Sequence, residues 1–350
     1  MMKNNPFNLM YGRPPYSLVE RDAQYRQILD TFEADYPSTF AYLITGVRGA
    51  GKTVLLRLIG KELSSRKDWI VIEANPQDDI ITPLAEKLYY EGGNRKLFLD
   101  FSLTVNLNLL SLSIAKKDCI TNSEIIFEKL LEKANEQGKR VLIAIDEINN
   151  TPSLKKFANF YQTMVGKGYS VFLLMTGLRE NVDSLTSSDA ASFLSRTPKI
   201  DLGPLSLIGI AKEYQRLLNL SQKEAVDFAK LTYGYAFAYQ VLGYLLFESG
   251  AKTIDYRLLS RYDAYLQSNG YDVIWKSLSE KEKTFCFALA SSESGQGRQI
   301  ADSIGMKTHN FQAYRNRLIE KGLLLSPGYG QIEFALPRFK EYVSILRDFL

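Results

Sequence analysis

The sequence has very few of the residues that build metal clusters, disulfide frameworks and histidine-based catalytic sites. Among 350 residues there is one histidine, His309, and there are two cysteines, Cys119 and Cys286, which lie far apart without CxxC spacing. A zinc cluster and a disulfide framework are therefore not expected, and Ser-His-Asp and Cys-His catalytic groups are excluded. The scarcity of cysteine also fits a reducing cytoplasm, which is the compartment we expect.

Long apolar runs and a strong charge of one sign are also missing. No apolar stretch reaches membrane-spanning length and residues 1–16 lack a signal-peptide core, so we expect no membrane association. The net charge of +4 is too small to indicate a nucleic-acid partner by itself. The hydrophobic content of 45% and the length of 350 residues indicate a globular protein of two or three domains.

One glycine-rich stretch follows a predicted strand and precedes a predicted helix. The apolar residues 41–44 form the strand, and Val54, Leu55, Leu58, Ile59 and Leu63 recur at helical spacing after the stretch. Between them is the pattern G-x-x-x-x-G-K-T, whose residues are Gly46, Val47, Arg48, Gly49, Ala50, Gly51, Lys52 and Thr53. Strand, glycine loop and helix in this order are typical of a phosphate-binding loop.

The residue types of this loop suit a nucleotide triphosphate with its metal ion. Glycines let backbone N–H groups turn toward an anion, and the helix N-terminus adds positive charge. We expect the loop, with Val54 after it, to bind ATP or ADP. Lys52 would reach the β- and γ-phosphates, and the Thr53 hydroxyl would hold Mg²⁺. The alternative is an ordinary glycine-rich turn.

A second motif follows a continuous apolar strand at residues 140–145 and consists of Asp146 and Glu147. This pattern is typical of a Walker B strand, in which Asp146 would hold the Mg²⁺ shell and Glu147 would polarise the attacking water. The alternative is a solvated acidic turn. Thr53 and Asp146 are 93 residues apart, which leaves room for two crossovers and an added central strand.

Two further residues are candidates for the catalytic site. Thr176 closes the next predicted strand, residues 169–175, and would lie between the two Walker motifs, where it could hold the water. Arg196 precedes a last short strand at 199–202 and could supply positive charge to a γ-phosphate in its own or a neighbouring subunit. The alternatives are a strand cap for Thr176 and a surface arginine for Arg196.

The first 204 residues are the predicted ATPase core, and they contain one segment of different character. Apolar residues alternate with Ser, Thr and Asn over 101–114, which predicts a β-hairpin inserted at about 100–115. A single long strand of the main sheet is the alternative. Residues 1–18 contain three prolines and are predicted to be an extended lead-in.

The rest of the chain is predicted to form a helical lid over 205–275 and a third domain over 276–350. In the lid, Ser221 and Glu224 have the spacing of a capping box. In the third domain, predicted helices at 279–290, 298–304 and 308–321 precede a two-stranded wing. This is the element order of a winged helix-turn-helix domain. The predicted fold class of the whole chain is α/β, with a parallel-sheet core, a helical lid and this winged helix.

The third of these helices carries polar residues on the face that should point outward. The candidate DNA contacts are Lys307, His309, Asn310, Gln312, Arg315, Asn316 and Arg317. Asn, Gln and Arg side chains can bind base edges or phosphates. From 298 to 350 there are 8 basic and 5 acidic residues, an excess so modest that protein contact or autoinhibition is the alternative.

Taken together, these motifs give the chain a resemblance to the AAA+/STAND-like P-loop ATPases with a C-terminal winged helix. That group includes origin-recognition-like and initiator-like ATPases of archaea and bacteria. The resemblance implies a three-layer P-loop core, ATP hydrolysis with Mg²⁺, and the roles given above for Thr176 and Arg196. It also implies that Val19 lines the adenine site, because residues 18–22 are similar to the segment that begins such domains, with Glu20 in place of its glycine.

The lid of the resembling family carries a G-x-P motif, which residues 234–236 match except that Ala236 replaces the proline. No arginine follows, so a second sensor arginine is not evident. Three functions remain open: an ATP-driven switch whose winged helix binds duplex DNA, as a monomer or a homo-oligomer; a STAND-type signalling or defence ATPase whose winged helix contacts protein; and a nucleotide-binding scaffold with little turnover.

Overall fold

The structure is a computed structural model that describes residues 4–10, 15–16, 19, 21–76, 79–91, 122–187 and 192–349. The chain forms two compact units. The first, here called the helical unit, consists of Met1–Arg21, Gly46–Gly51 and Leu202–Leu350. The second, the sheet unit, consists of Asp22–Thr45 and Lys52–Asp201.

The sheet unit is built on five parallel strands. They are β1 (Ala41–Thr45), β2 (Trp69–Ala74), β3 (Arg140–Ile145), β4 (Val171–Gly177) and β5 (Lys199–Asp201), in the spatial order β2-β3-β4-β1-β5. The expected added strand is present, since β4 pairs with both β1 and β3. Because the strands are parallel, the carboxyl ends of all five lie at one edge of the sheet.

The helices of the sheet unit alternate with these strands. They are α1 (Asp22–Glu33), α2 (Lys52–Ser64), α3 (Ile81–Glu91), α4 (Ser123–Glu136), α5 (Pro152–Gly166), α6 (Arg179–Thr186) and α7 (Ser192–Arg196). Side-chain capping explains where two of these helices begin. The side chain of Asn122 caps α4, and the side chain of Thr151 caps α5, which has Pro152 at its first position.

Both faces of the sheet are covered, as its continuous apolar strands require. On one face, strand residues such as Leu43, Ile143 and Leu173 belong to the same buried cluster as residues of α3, α4 and α5. On the other face, Phe32 of α1 packs its ring against Phe172 at 5.0 Å. The predicted three-layer α/β core is therefore confirmed.

The helical unit follows β5 along the chain. Its first helices are α8 (Leu207–Leu218), α9 (Gln222–Lys230), α10 (Ala236–Ser249) and α11 (Tyr256–Leu266), which continues through a π-helical turn (Gln267–Tyr271) into α12 (Asp272–Lys276). The predicted capping box of Ser221 and Glu224 is present at the start of α9. A second capping box, of Ser279 and Glu282, begins the next helix.

The C-terminal part contains three helices, two short strands and a last helix. These are α13 (Glu280–Ser291), α14 (Gly297–Ser303), α15 (Thr308–Glu320), β6 (Leu324–Leu325), β7 (Glu333–Phe334) and α16 (Phe339–Asp348). The strands β6 and β7 pair antiparallel. Gly322, at φ +68°, ends α15 in the left-handed conformation that favours glycine.

A single buried cluster joins all of these helices. It extends from Leu205 to Val343 without a break at the predicted domain boundary of 275 and 276. The N-terminal segment also contributes, because Phe7 is buried and its ring occupies the space where a Cβ of Gly243 would lie. The predicted lead-in is thus packed against α10, where the Asn8 N–H also donates to Gln240 Oε1.

The predicted hairpin at about 100–115 lies outside the described residues. In the ranges that the structure covers, no helix combines the length and apolarity needed to cross a lipid bilayer.

Candidate functional site

Four polar groups meet at the carboxyl edge of the sheet unit. Asp146 follows β3, and its Oδ1 accepts hydrogen bonds from the Thr53 hydroxyl at 3.2 Å and from the Thr176 hydroxyl. Thr53 lies in the first turn of α2 and Thr176 is a buried residue of β4, so two separate elements each bring a hydroxyl to the carboxylate oxygen that follows β3. The sheet order explains this convergence, because β4 lies beside β3.

Glu147 follows in an unusual backbone conformation. Its φ is +56°, in the left-handed region that costs a residue with a side chain of order 1 kcal/mol. Its N–H donates to the Thr176 hydroxyl at 3.1 Å, and the next N–H, of Ile148, donates to the Thr176 carbonyl at 2.8 Å. These two bonds fasten the end of β3 to the end of β4, while the Glu147 residue remains exposed.

The hydrogen bonds of Thr176 indicate a structural role beside the predicted one. A hydroxyl has a single O–H to donate, and Thr176 gives it to Asp146 rather than to solvent. Its oxygen accepts from the Glu147 N–H. The geometry therefore gives Thr176 the position of a residue that orients both acids, and the expectation that it holds water stays a prediction.

The oxygen atoms at this edge suit Mg²⁺. The Thr53 hydroxyl and the Asp146 carboxylate are hard donors, and Mg²⁺ takes few protein ligands because water and phosphate oxygens complete its octahedron. Within the described part of the chain there is no group of three or more His, Cys, Asp or Glu residues that could hold a metal ion. The donor set thus fits a metal ion that arrives with a nucleotide.

The glycine loop belongs to the helical unit from Gly46 to Gly51, and α2 of the sheet unit starts at Lys52. Gly49 and Gly51 have φ values of +76° and +93°, which residues with a side chain rarely adopt. Within the helical unit, Arg21 donates from Nη2 to the carbonyl oxygens of Ala50 at 3.0 Å and Gly203 at 2.8 Å.

Tyr235 is a second residue of the helical unit that binds the loop. Its hydroxyl donates to the Arg48 carbonyl oxygen at 2.9 Å. Nothing in the sequence near the motif indicates this contact, because 187 residues separate the two partners. Sequence reasoning found the loop but missed Tyr235, and it assigned the segment around Arg21 to the adenine site.

Sequence reasoning also missed a second polar cluster at the sheet edge. Asp201, at the end of β5, accepts from the Thr45 hydroxyl at 3.1 Å and from Arg179 Nε at 2.7 Å. Arg179 follows β4 and Thr45 ends β1, so this group lies on the same edge as the Walker acids. Charged residues near the ends of two strands were the available signal.

The remaining predicted residues lie apart. Arg196 ends α7 and is exposed, and its side chain has no hydrogen-bond or ion-pair partner among the described residues. Val19 is half-buried in the helical unit, where its Cγ1 would lie 2.9 Å from a Cβ of Gly209. Val54 is half-buried in the first turn of α2. The roles of these three residues stay predictions.

The outer face of α15 is polar, as the sequence predicts. Phe311 and Leu318 are buried, whereas these residues are exposed: Lys307, His309, Asn310, Gln312, Asn316 and Arg317. Arg315 differs from the expectation, because it is half-buried and its guanidinium donates to Gln312 Oε1 at 3.1 Å and Ser326 Oγ at 2.5 Å. It therefore joins α15 to the turn between β6 and β7.

The thiol of Cys286 is not a candidate nucleophile. Burial, with a smaller contribution from the nearby Glu282 carboxylate, raises the pKa of this thiol to about 12. The thiol is therefore protonated at neutral pH, whereas the thiolate is the reactive form.

Comparison with known families agrees with the site. Residues 17–160, which include both Walker motifs, match the model of the AAA ATPase domain. The match supports an ATPase domain in this part of the chain. Residues 268–343 match a domain of unknown function, DUF8462. No curated protein sequence matches the chain.

Solved structures show the same fold along nearly the whole chain. A Walker-type ATPase of Pyrococcus abyssi is similar with a TM-score of 0.64 and 14% identity, over 96% of this chain and 99% of that chain. The ORC2 protein of Aeropyrum pernix, solved as ADPNP and ADP complexes, is similar with a TM-score of 0.62 and 13% identity, over 97% and 96%. The chain thus shares its fold with these two proteins.

Proposed function

We propose that this protein is an ATP-hydrolysing switch of the cytoplasm whose C-terminal helices form a winged helix that binds duplex DNA. The observation that carries the hydrolytic part is a hydrogen-bonded group at the edge of the sheet, in which the Thr53 and Thr176 hydroxyls donate to Asp146 and the Glu147 N–H donates to Thr176. The DNA-binding part is supported by the exposed polar face of α15.

In this proposal each residue of the motifs has one task. Loop N–H groups and Lys52 bind the phosphates of ATP or ADP, and Thr53 and Asp146 hold Mg²⁺. Once held there, Mg²⁺ would supply positive charge to the phosphate oxygens. Glu147 accepts a proton from the attacking water, and Thr176 keeps Glu147 and Asp146 in place. Arg196 adds positive charge from its own or a neighbouring subunit.

A contact inside the helical unit supports a connection between nucleotide and the C-terminal helices. Val47, the second residue of the loop, lies against Gly322 at the end of α15, where an added Cβ would come within 1.8 Å of Val47 Cγ1. A movement of the loop on ATP binding or hydrolysis would therefore shift Gly322 and the end of α15, the helix whose polar face is exposed. Packed contacts transmit such shifts because protein interiors are close-packed.

The face proposed to bind DNA has a mild positive charge. Lys307 and Arg317 are exposed on or beside α15 and could each contact a phosphate, and Asn310 and Gln312 could reach base edges. Two such phosphate contacts imply a log–log salt slope of roughly −2. One copy would then release DNA near physiological salt, while an ATP-dependent homo-oligomer would hold it through higher effective concentration.

The contact between Val47 and Gly322 also favours a second candidate function. In a STAND-type signalling ATPase, the C-terminal helices would be held against the loop in one nucleotide state and released toward a protein partner in the other. That function needs the same contact but no affinity for DNA.

The test is a salt titration of duplex DNA binding with ATP, with ADP and without nucleotide. We expect duplex binding at low salt, and binding that persists to higher salt with ATP than with ADP or without nucleotide. Arg317→Ala should lower both the affinity for DNA and the slope of its salt dependence. The matched control is Arg261→Ala, which removes an exposed arginine of α11 in the same unit. If no nucleotide state binds duplex DNA even at low salt, the DNA-binding function is wrong and the signalling function takes its place.

A further inference from the structure

Three consecutive carbonyl groups of the glycine loop are held by donors of the helical unit. The Tyr235 hydroxyl donates to the Arg48 oxygen at 2.9 Å, and the Phe237 N–H donates to the Gly49 oxygen at 3.2 Å. The Arg21 guanidinium donates to the Ala50 oxygen at 3.0 Å. The loop is thus anchored by its acceptors, one residue after another.

Peptide planarity turns these bonds into a statement about the N–H groups. No described peptide bond is cis, and in a trans peptide the N–H of one residue points away from the carbonyl of the residue before it. Fixing the carbonyls of Arg48 and Ala50 therefore directs the N–H groups of Gly49 and Gly51 away from Tyr235 and Arg21. The Ala50 N–H closes a turn to the Val47 carbonyl at 3.2 Å.

Tyr235 is itself held firmly. It is buried, and its N–H donates to the Thr232 carbonyl at 2.8 Å. The preceding Gly234 has a φ of +73°, and a Cβ there would lie 2.6 Å from the Leu205 carbonyl oxygen. The tight turn before α10 therefore has one arrangement, which presents the tyrosine ring to the loop.

The ring also explains the glycine at position 49. A Cβ on Gly49 would lie 2.3 Å from the Tyr235 hydroxyl oxygen and 2.8 Å from the ring carbon that carries it. The aromatic ring occupies the space that any side chain at this position would need. Loop and tyrosine are complementary in shape as well as in hydrogen bonding.

We propose that Tyr235 is a positioning residue for nucleotide binding: its hydroxyl holds the peptide between Arg48 and Gly49 so that the Gly49 N–H faces the phosphates. This inference rests on the nucleotide site proposed above. It assigns to the turn before α10 a function that the glycine motif alone does not contain. Preorganised donors bind an anion more tightly because less ordering is needed on binding.

The test compares Tyr235→Phe, which keeps the ring and removes the hydroxyl, with Tyr214→Phe. Tyr214 is a matched control because its buried hydroxyl also donates to a backbone carbonyl of the helical unit, that of Tyr239 at 2.8 Å, but not to the loop. Dissociation constants for ATP and ADP with Mg²⁺ are measured by calorimetry, and ATP turnover is measured at saturating ATP.

We expect Tyr235→Phe to raise the dissociation constants of ATP and ADP by about three- to tenfold, the effect of one net hydrogen bond. Turnover at saturating ATP should stay within about twofold, because the lost interaction serves the ground state and the transition state alike. Tyr214→Phe should leave both constants unchanged. Arg21→Gln, which removes the donor to the Ala50 carbonyl, is a second variant that should also weaken binding.

Unchanged affinity in Tyr235→Phe, or an equal loss in Tyr214→Phe, would overturn the positioning role. Lys52→Ala separates this failure from failure of the nucleotide site itself. If Lys52→Ala abolishes binding and Tyr235→Phe binds like the wild type, only the positioning role is wrong. If Lys52→Ala binds ATP as well as the wild type, the nucleotide site and the positioning role are both wrong.

Discussion

Replacing Thr176 with valine tests the arrangement of the Walker acids more sharply than removing either acid. Valine has nearly the same shape, so the change removes the hydroxyl that donates to Asp146 and accepts from the Glu147 N–H. Thr176 is fully buried in β4, so water cannot replace the hydroxyl without opening the strand. Both acids should lose their orientation while remaining present.

The size of the effect follows from these two bonds. A hydrogen bond to a charged group contributes about 1.5 to 3 kcal/mol, and the Glu147 N–H left without its acceptor adds about 1 kcal/mol because that residue is exposed. We expect Thr176→Val to lower the free energy of unfolding by about 2 to 4 kcal/mol. A displacement of the acids on the order of 1 Å should reduce ATP turnover by roughly 100-fold.

The matched control is Thr176→Ser, which keeps the hydroxyl and removes one buried methyl group. It should cost about 1 kcal/mol of stability and leave turnover within about threefold. The assays are urea unfolding and phosphate release at saturating ATP and Mg²⁺. Equal turnover by the valine and serine variants would refute the reasoning, because the hydroxyl would then have no part in orienting the acids.

Two other predictions concern parts of the chain outside this cluster. If Arg196 acts between subunits, turnover per subunit should rise with protein concentration and Arg196→Ala should abolish the rise; a rate independent of concentration would exclude that action. Burial alone would raise the pKa of the Glu282 carboxyl, but hydrogen bonds from Lys321, at 2.8 Å, and Ser279 lower it below 4.5. Glu282 should therefore stabilise the fold above its unfolded pKa, and this contribution should be lost as the pH falls through the lower folded pKa. Urea unfolding at pH 7 should show a loss of about 2 kcal/mol for Glu282→Gln, and the difference from wild type should shrink toward pH 3; a difference that does not change with pH would contradict the assignment.

The sheet was predictable because its strands are continuous apolar runs that end in polar residues. Burial on both faces of a parallel sheet requires such runs, and β3 was predicted at residues 140–145, the bounds Arg140–Ile145 that the structure shows. The distance between the Walker motifs predicted an added central strand, and β4 lies between β3 and β1. The resulting edge brought Thr53, Asp146 and Thr176 together, as the sequence predicts for the metal and nucleotide site.

The support of the loop was not predictable in the same way. The hydrogen bond from Tyr235 to the Arg48 carbonyl joins segments 187 residues apart and involves a backbone acceptor, which leaves no trace in residue type. The hydrogen bond from Arg315 to the Ser326 hydroxyl was also not predicted, because the sequence could not indicate that this arginine joins α15 to the following turn. Contacts between a side chain and a distant backbone carbonyl depend on the packing of whole elements.

The lid and the C-terminal helices illustrate a limit of boundaries drawn from element order. The element order predicts a domain boundary between residues 275 and 276, yet Tyr271 before it packs its ring against Phe339 at 4.9 Å. Arg338, in the left-handed conformation at φ +60°, also binds Asp263 of α11 through Nε at 2.8 Å. Apolar residues on both sides of a turn can therefore share one core.

ATP hydrolysis by Glu147→Gln tests the central claim most directly, because the exposed carboxylate is proposed to accept the proton of the attacking water. The amide keeps the shape and the N–H bond to Thr176 but cannot accept that proton. We expect Glu147→Gln to bind ATP as tightly as the wild type. In a single-turnover assay, the variant should hydrolyse the bound ATP at least about 100-fold more slowly. Undiminished turnover would place the catalytic base elsewhere, and the absence of turnover in both proteins would make the chain a nucleotide-binding scaffold rather than an ATP-hydrolysing switch.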